Sequence, residues 1–232
     1  MKDDSASVAE VFARLALELH EEVGVGETVE AVVQFALHAV SCTHAGVLLS
    51  SRGGQWETIS ATDPLVEESD RMQVELGEGP SVDVLTEHTA VLVPDTASDP
   101  RWPTWAPKAA ALGLRSVLSV RLAAGGSTLG VLQLFNTEPY AFEPDDDAVA
   151  HILARHASVA LASARQEATL WQAIDARKLV GQAQGILMER FGIDSDQAFA
   201  VLRRYSQDNN VKLRDVAQRL IDTRTLPGQR QA

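Results

Sequence analysis

Imidazoles and thiols, side chains often used in catalysis, are few: six histidines (His20, His38, His44, His88, His151 and His156) and one cysteine, Cys42. None sits in an H-E-x-x-H, C-x-x-C or G-x-S-x-G pattern, the spacings that build a zinc hydrolase, a redox dithiol or a serine nucleophile. Cys42 and His44 are spaced for a thiolate nucleophile or a tetrapyrrole attachment, but an inert thiol buried beside a strand satisfies the same spacing. A single cysteine excludes an intrachain disulfide and a cysteine-rich zinc site, and fits a reducing compartment. Gly77-Glu-Gly-Pro80 is too short for a phosphate loop and lacks its Lys-Ser/Thr. The expectation is a protein that is not an enzyme, with no catalytic residue, no metal ligand and no cofactor.

Charge is distributed unevenly over the 232 residues, whose net charge is −12. Residues 1–174 carry 10 basic and 25 acidic side chains, a net −15, whereas residues 175–232 carry 10 and 7, a net +3. The large acidic part repels polyanions, and the small basic part permits them. Hydrophobic residues at 45% support a packed core. The acidic start, MKDDSASVAEVF, is unlike a secretory signal, and no run of about 18 apolar residues could span a membrane. The expected location is cytoplasmic.

These residues need elements to position them. Residues 8–23 have helical spacing, residues 24–27 break it, and Thr28 is placed to cap a second helix ending near Val40. Strands over 45–50 and 56–62 flank a Gly53-Gly54 turn. A helix over 64–75, a short one over 81–87 and a strand over 90–93 follow. The next segment carries Trp102 and Trp105, read as core, and a helix ending near Leu112. Strands over 116–122 and 128–136 flank Gly125-Gly126. Paired strands with helices packed on them make an α+β domain.

From residue 145 the pattern turns wholly helical. Val149, Ile152, His156, Val159, Ser163, Leu170 and Ile174 trace an interrupted apolar seam. One helix over 145–191 would be on the order of 70 Å long, which favours a paired or coiled helix, with two helices broken near Asp175 as the alternative. Within it, Val180, Ala183, Leu187 and Phe191 share a face. Gly181 and Gly185 each cost about 1 kcal/mol in a helix, so close approach of another backbone or of a ligand is their expected reason. A second helix over 197–207 is capped by Asp194 or Ser195, with Ala198, Leu202 and Tyr205 on one side. A third, over 213–223, turns Val216, Ala217 and Leu220 inward.

LGEGPSVDVLTEHTAVLVPD (76–95), SVLSVRL (116–122), LGVLQLFN (129–136) and AFEPDD (141–146) resemble a GAF domain. That resemblance implies a sensor of a small ligand, a redox state or a partner; the ligand itself is unknown. A cyclic-nucleotide signature is incomplete, since the lysine expected near Asn136 is absent.

The last 50 or so residues resemble an ANTAR domain, through Arg177, Ala183, Gly185, Leu187, Met188, Ala198, Phe199, Leu202, Arg203, Leu213, Val216 and Ala217. Two positions depart from the pattern: Gln184, where a basic residue is often found, and Ser206 after the arginines of the second helix. The resemblance implies an RNA-binding transcription antiterminator, a homodimer that binds hairpins in a leader transcript. Arginine and lysine neutralise phosphates, and RNA loops expose bases for stacking and hydrogen bonds. The implied RNA contacts are Arg177, Lys178, Arg203, Arg204 and Lys212, with Gln184 and Asn210 for base edges or phosphates. The same residues could instead be a solvated face, or pair with Asp175, Glu189 and Asp215. Ala183 and Gly185 equally suit a helix crossing, and Met188 and Tyr205 suit a core. The expected layout is a GAF-like sensor over 1–144, a linker or coiled-coil helix over 145–174, a three-helix ANTAR-like bundle over 175–224 and a polar tail over 225–232. Two other readings remain: a DNA-binding regulator with a helix-turn-helix near 210–224, and a GAF module that dimerises without sensing.

Overall fold

The computed structural model describes residues 24–51 and 55–225. The expected helix over 8–23 and the glycines of the first hairpin turn lie outside them. The chain divides into two compact units at Arg165/Gln166.

In the first unit the elements run α1 (Val25–Ala39), β1 (His44–Ser50), β2 (Trp56–Ala61), α2 (Pro64–Leu76), α3 (Pro80–Thr86), β3 (Ala90–Val93), α4 (Trp105–Ala111), β4 (Ser116–Ala124) and β5 (Ser127–Asn136). The strands form one antiparallel sheet in the order β2-β1-β5-β4-β3. Gly125 and Gly126 join β4 to β5 with φ of 58° and 79°, the two left-handed residues that a tight hairpin turn needs.

Alternation along the central strands buries both faces of the sheet. Leu118, Val120 and Leu122 of β4 and Leu132 and Leu134 of β5 join one core, with Val29, Val32, Val33 and Ala36 of α1. Val117, Val131 and Phe135 join the opposite core, with Val66, Val84, Trp102 and Trp105. Trp102 and Trp105 meet edge to face, 5.7 Å apart, as the core pair expected of them. Gly130 is fixed by close approach, because a Cβ there would collide with the Leu48 carbonyl of β1.

Two local expectations are corrected. Thr28 is not a cap: Gly24 holds that position, while Thr28 is buried in the first turn and its hydroxyl donates to the Gly24 carbonyl at 2.6 Å. The apolar seam of the long helix faces outward apart from Val149, which packs at the edge of the first core. α5 (Pro144–Phe191) is one continuous helix of 48 residues, and the residues it packs against the sheet are Ala150, Leu153, Ala154, Ala157 and Leu161. Ile152, Val159, Leu170 and Ile174 are exposed. The core face was hidden in the sequence because alanine, which lets a helix lie close to a sheet, carries little hydropathy signal.

The segment of residues 77–80 has a structural task. The Glu78 carboxylate accepts from the Thr104 and Trp105 amides at 2.9 and 3.2 Å and from the Thr104 hydroxyl at 3.0 Å, anchoring the start of α4. The half-buried Cys42 thiol is pushed up to about 12 by burial, with the Asp146 charge beside it adding to the rise, which disfavours a thiolate there.

One buried polar chain crosses the second core. Gln73 accepts from the Ser81 amide at 2.8 Å and donates to Gln133 at 3.2 Å, and the Ser81 hydroxyl donates to the same Gln133 oxygen at 2.6 Å. Beside it, Asp70 accepts from the Thr58 hydroxyl at 2.7 Å. Desolvation raises the Asp70 carboxyl to about 7, with the Glu67 charge adding to the rise and the side chains of Thr58 and Gln133 opposing it. The folded state therefore holds this proton more tightly than the unfolded chain. Its stabilisation is complete below about pH 4, is lost as pH rises towards 7, and levels off above. Asp70→Asn should remove that slope and stabilise the protein at pH 8 by a few kcal/mol, since each tenfold change in proton affinity on folding is worth about 1.4 kcal/mol. Denaturant unfolding across pH 4–8 measures both effects.

Candidate functional site

The second unit is built from the end of α5 with α6 (Ser195–Asp208) and α7 (Leu213–Thr223). Asp194 caps α6 in a reciprocal box: its carboxylate accepts from the Gln197 amide at 2.8 Å, and the Gln197 side chain accepts from the Asp194 amide at 3.2 Å. The core is Ala183, Leu187, Ala198, Leu202, Val216, Ala217 and Leu220. Six of these seven are motif positions of the sequence reading, so half of the twelve motif positions specify how three helices pack. Tyr205 packs partly against this core, as expected. Met188, at 37% exposure, and Phe191, at 53%, do not lie in it.

With that face inward, the cations point out. Arg177, Lys178, Arg203, Arg204 and Lys212 are all exposed. Arg204 alone among them makes an ion pair, a loose 3.5 Å contact with Asp208 between two largely exposed side chains. None pairs with Asp175, Glu189 or Asp215; Asp215 is held by Arg214 at 3.2 Å. Lys212 occupies the position before the first turn of α7, where its carbonyl accepts from Asp215 and Val216.

The two polar candidates are engaged in the fold. Gln184 donates to the carbonyl and hydroxyl of Ser195, at 3.0 and 3.2 Å, tying α5 to the start of α6. Asn210 adopts a left-handed φ of 51° in the turn after α6, a conformation asparagine tolerates well. Ser206 closes the same turn by donating to the Val211 carbonyl at 2.7 Å.

A crossing of helices explains Ala183, which is fully buried, but not the glycines. A Cβ at Gly181 or Gly185 would meet no atom within 4 Å. Nothing in the described chain requires glycine at either position. A cleft of about 390 Å³ opens nearby, lined in part by Lys178, Gln182 and Arg214. Gln182 and Arg214 were missed in the sequence. The available signal was spacing: Gln182 lies one helical turn after Lys178, and Arg214 opens the third helix.

Among the described residues, no group of histidine, cysteine, aspartate and glutamate is arranged to hold a metal, and no helix is long and apolar enough to cross a membrane.

Comparison with known proteins accounts for both units. A GAF domain model matches residues 22–162, and an ANTAR domain model matches residues 168–221. No curated protein matches the chain. The GAF domain of a phosphoenolpyruvate-protein phosphotransferase from Coxiella burnetii superposes with a TM-score of 0.55 at 17% identity, over 70% of this chain and 96% of that one. The GAF domain of the Acinetobacter phosphotransferase gives 0.55 at 16%, over 70% and 98%. The photosensory core module of the Stigmatella aurantiaca phytochrome gives 0.59 at 14%, over 87% of this chain and 44% of that one. At such identities the likeness is one of fold. The GAF match spans more than half of the sequence: the chain belongs to the GAF-domain family, and with its C-terminal ANTAR domain it has the architecture of a GAF–ANTAR regulator.

Proposed function

We propose that this protein is a transcription antitermination regulator, in which the GAF domain senses a small ligand or partner and controls binding of the ANTAR domain to hairpins of a leader RNA. The observation that carries the reading is the division of labour in the three-helix unit. Its motif residues Ala183, Leu187, Ala198, Leu202, Val216 and Ala217 are used in packing, while Arg177, Lys178, Arg203 and Lys212 are exposed and make no ion pair among the described residues. Exposed, uncompensated cations are free to neutralise phosphates, and arginine can also stack on splayed loop bases. Lys178 shares its cleft with Gln182 and Arg214, a combination suited to a phosphate and a base edge. The reaction class is regulation by binding, and α5 is the element through which the sensor state is passed on.

The protein works as a homodimer in this reading. Leu170, Trp171 and Ile174 of α5 are 55–58% exposed, an apolar face that pairing of two copies would cover. Replacing Leu170 and Ile174 together by lysine should shift the sedimenting species from dimer to monomer; an unchanged sedimentation coefficient removes this face from the dimer.

RNA binding is tested by competition between a hairpin leader RNA and duplex DNA of equal length. The hairpin should win, and Arg203→Ala with Arg204→Ala should lower its affinity about tenfold or more while the helical signal stays intact. Preference for duplex DNA would replace this reading with that of a DNA-binding regulator. The glycines give a sharper readout. Alanine at Gly181 or Gly185 meets open space and should stabilise the helix by up to about 1 kcal/mol. If RNA approaches α5 closely there, Gly185→Ala should nevertheless weaken RNA binding. Higher stability with undiminished affinity would mean that the glycine serves neither packing nor RNA.

A further inference from the structure

The first unit has a second cleft, of about 280 Å³, between β2 and α2. Its lining combines an apolar part, Trp56, Leu48 and Val74, with three carboxylates of α2, Glu67, Asp70 and Glu75. Arg71 also lines it, but its guanidinium is already held by Glu68 and by Glu75, the latter at 2.9 Å. That leaves Glu67 and Asp70 without an ion pair among the described residues.

Asp70 is the unusual member. It is 1% exposed, yet among the described residues the side chains that stabilise its charge are neutral: the Thr58 hydroxyl at 2.7 Å, the Gln73 amide at 3.5 Å and the Gln133 side chain. The charged side chains that line the cleft with it, Glu67, Arg71 and Glu75, all come from α2, while β1 and β2 contribute only Leu48, Trp56 and Thr58. A buried carboxylate is costly unless a positive charge meets it, and a titratable group of this kind in a cleft marks a binding site. Anions are repelled by the net charge of the lining. A chelated metal ion is disfavoured because these carboxylates do not converge on one position. An aromatic wall beside a carboxylate suits a cation carried on an apolar body.

We propose that this cleft is the sensor's ligand site and that it takes a small organic cation, an ammonium group set against Asp70 with its apolar body on Trp56, Leu48 and Val74. This rests on reading the first unit as a sensor. Because Asp70 holds its proton up to about pH 7 in the free protein, cation binding expels that proton. Affinity for a permanently charged ammonium therefore rises with pH up to neutrality and then levels off.

The probe is phenethylammonium, titrated calorimetrically into the full-length protein, with 2-phenylethanol as its neutral twin. The ammonium should bind at least about tenfold tighter than the alcohol, and about tenfold tighter at pH 8 than at pH 5.5. Asp70→Asn, which preserves volume and removes the charge cost, should abolish both differences, and Trp56→Leu should weaken the ammonium. Equal binding of amine and alcohol, no binding of the amine, or full affinity in folded Asp70→Asn would overturn the proposal. Titrating hairpin RNA into the same preparations keeps the two readings apart. RNA binding without amine binding removes only the ligand assignment, and amine binding without RNA binding removes only the antiterminator.

Discussion

The structure depends on one constraint: α5 must supply side chains to two different cores without interruption. From Pro144 to Phe191 no proline occurs after the first residue, and glycine enters only at positions 181 and 185. The early turns present Ala150, Leu153, Ala154, Ala157 and Leu161 to the sheet. The late turns present Ala183 and Leu187 to α6 and α7. Each core loses a wall if the helix breaks within it. A helix shared in this way is also the simplest physical route for a state of one unit to bias the other, because it needs no additional contact.

The two units use different means to the same end. In the GAF unit, strict alternation on β4 and β5 fills both faces of a sheet, and the polar residues caught on the inner face form a hydrogen-bonded chain through Gln73, Ser81 and Gln133. Partners for such groups offset the cost of burying them, although the Ser119 hydroxyl and the Gln133 Nε2 of the same sheet are buried without one among the described residues. In the ANTAR unit the core is small, and Ala183, Leu187, Ala198, Leu202, Val216 and Ala217 of the motif are needed to fill it, whereas Met188 and Phe199 stay partly exposed. The motif's arginines, Arg177 and Arg203, are on the exposed surface.

The elements themselves were legible because each has strong local punctuation. Asp194 at the start of α6 and the Gly125-Gly126 turn mark boundaries by chemistry that acts over a few residues. Where the reading failed, a competing local choice was equally reasonable. Thr28 has the hydroxyl of a cap, but burial of its face on the sheet draws it inside the helix. The seam through Ile152, Val159 and Leu170 follows the larger apolar side chains, whereas a closely packed helix face is written in alanine.

The sequence by itself determined the order of the described elements, the antiparallel hairpins and the division between acidic and basic parts, and its motifs carried the resemblance to the two families. The elements and hairpins follow from periodicity, capping and spacing, all properties of neighbouring residues. Tertiary structure alone decided which of the described cations stay unpaired, that Gln184 is tied to Ser195, that Gly181 and Gly185 face open space, and that the buried Asp70 lines one cleft with Trp56, with no countercharge among the described residues. Those facts join residues distant along the chain, and their energies depend on desolvation. Desolvation is a property of the packed environment and cannot be read from a single position.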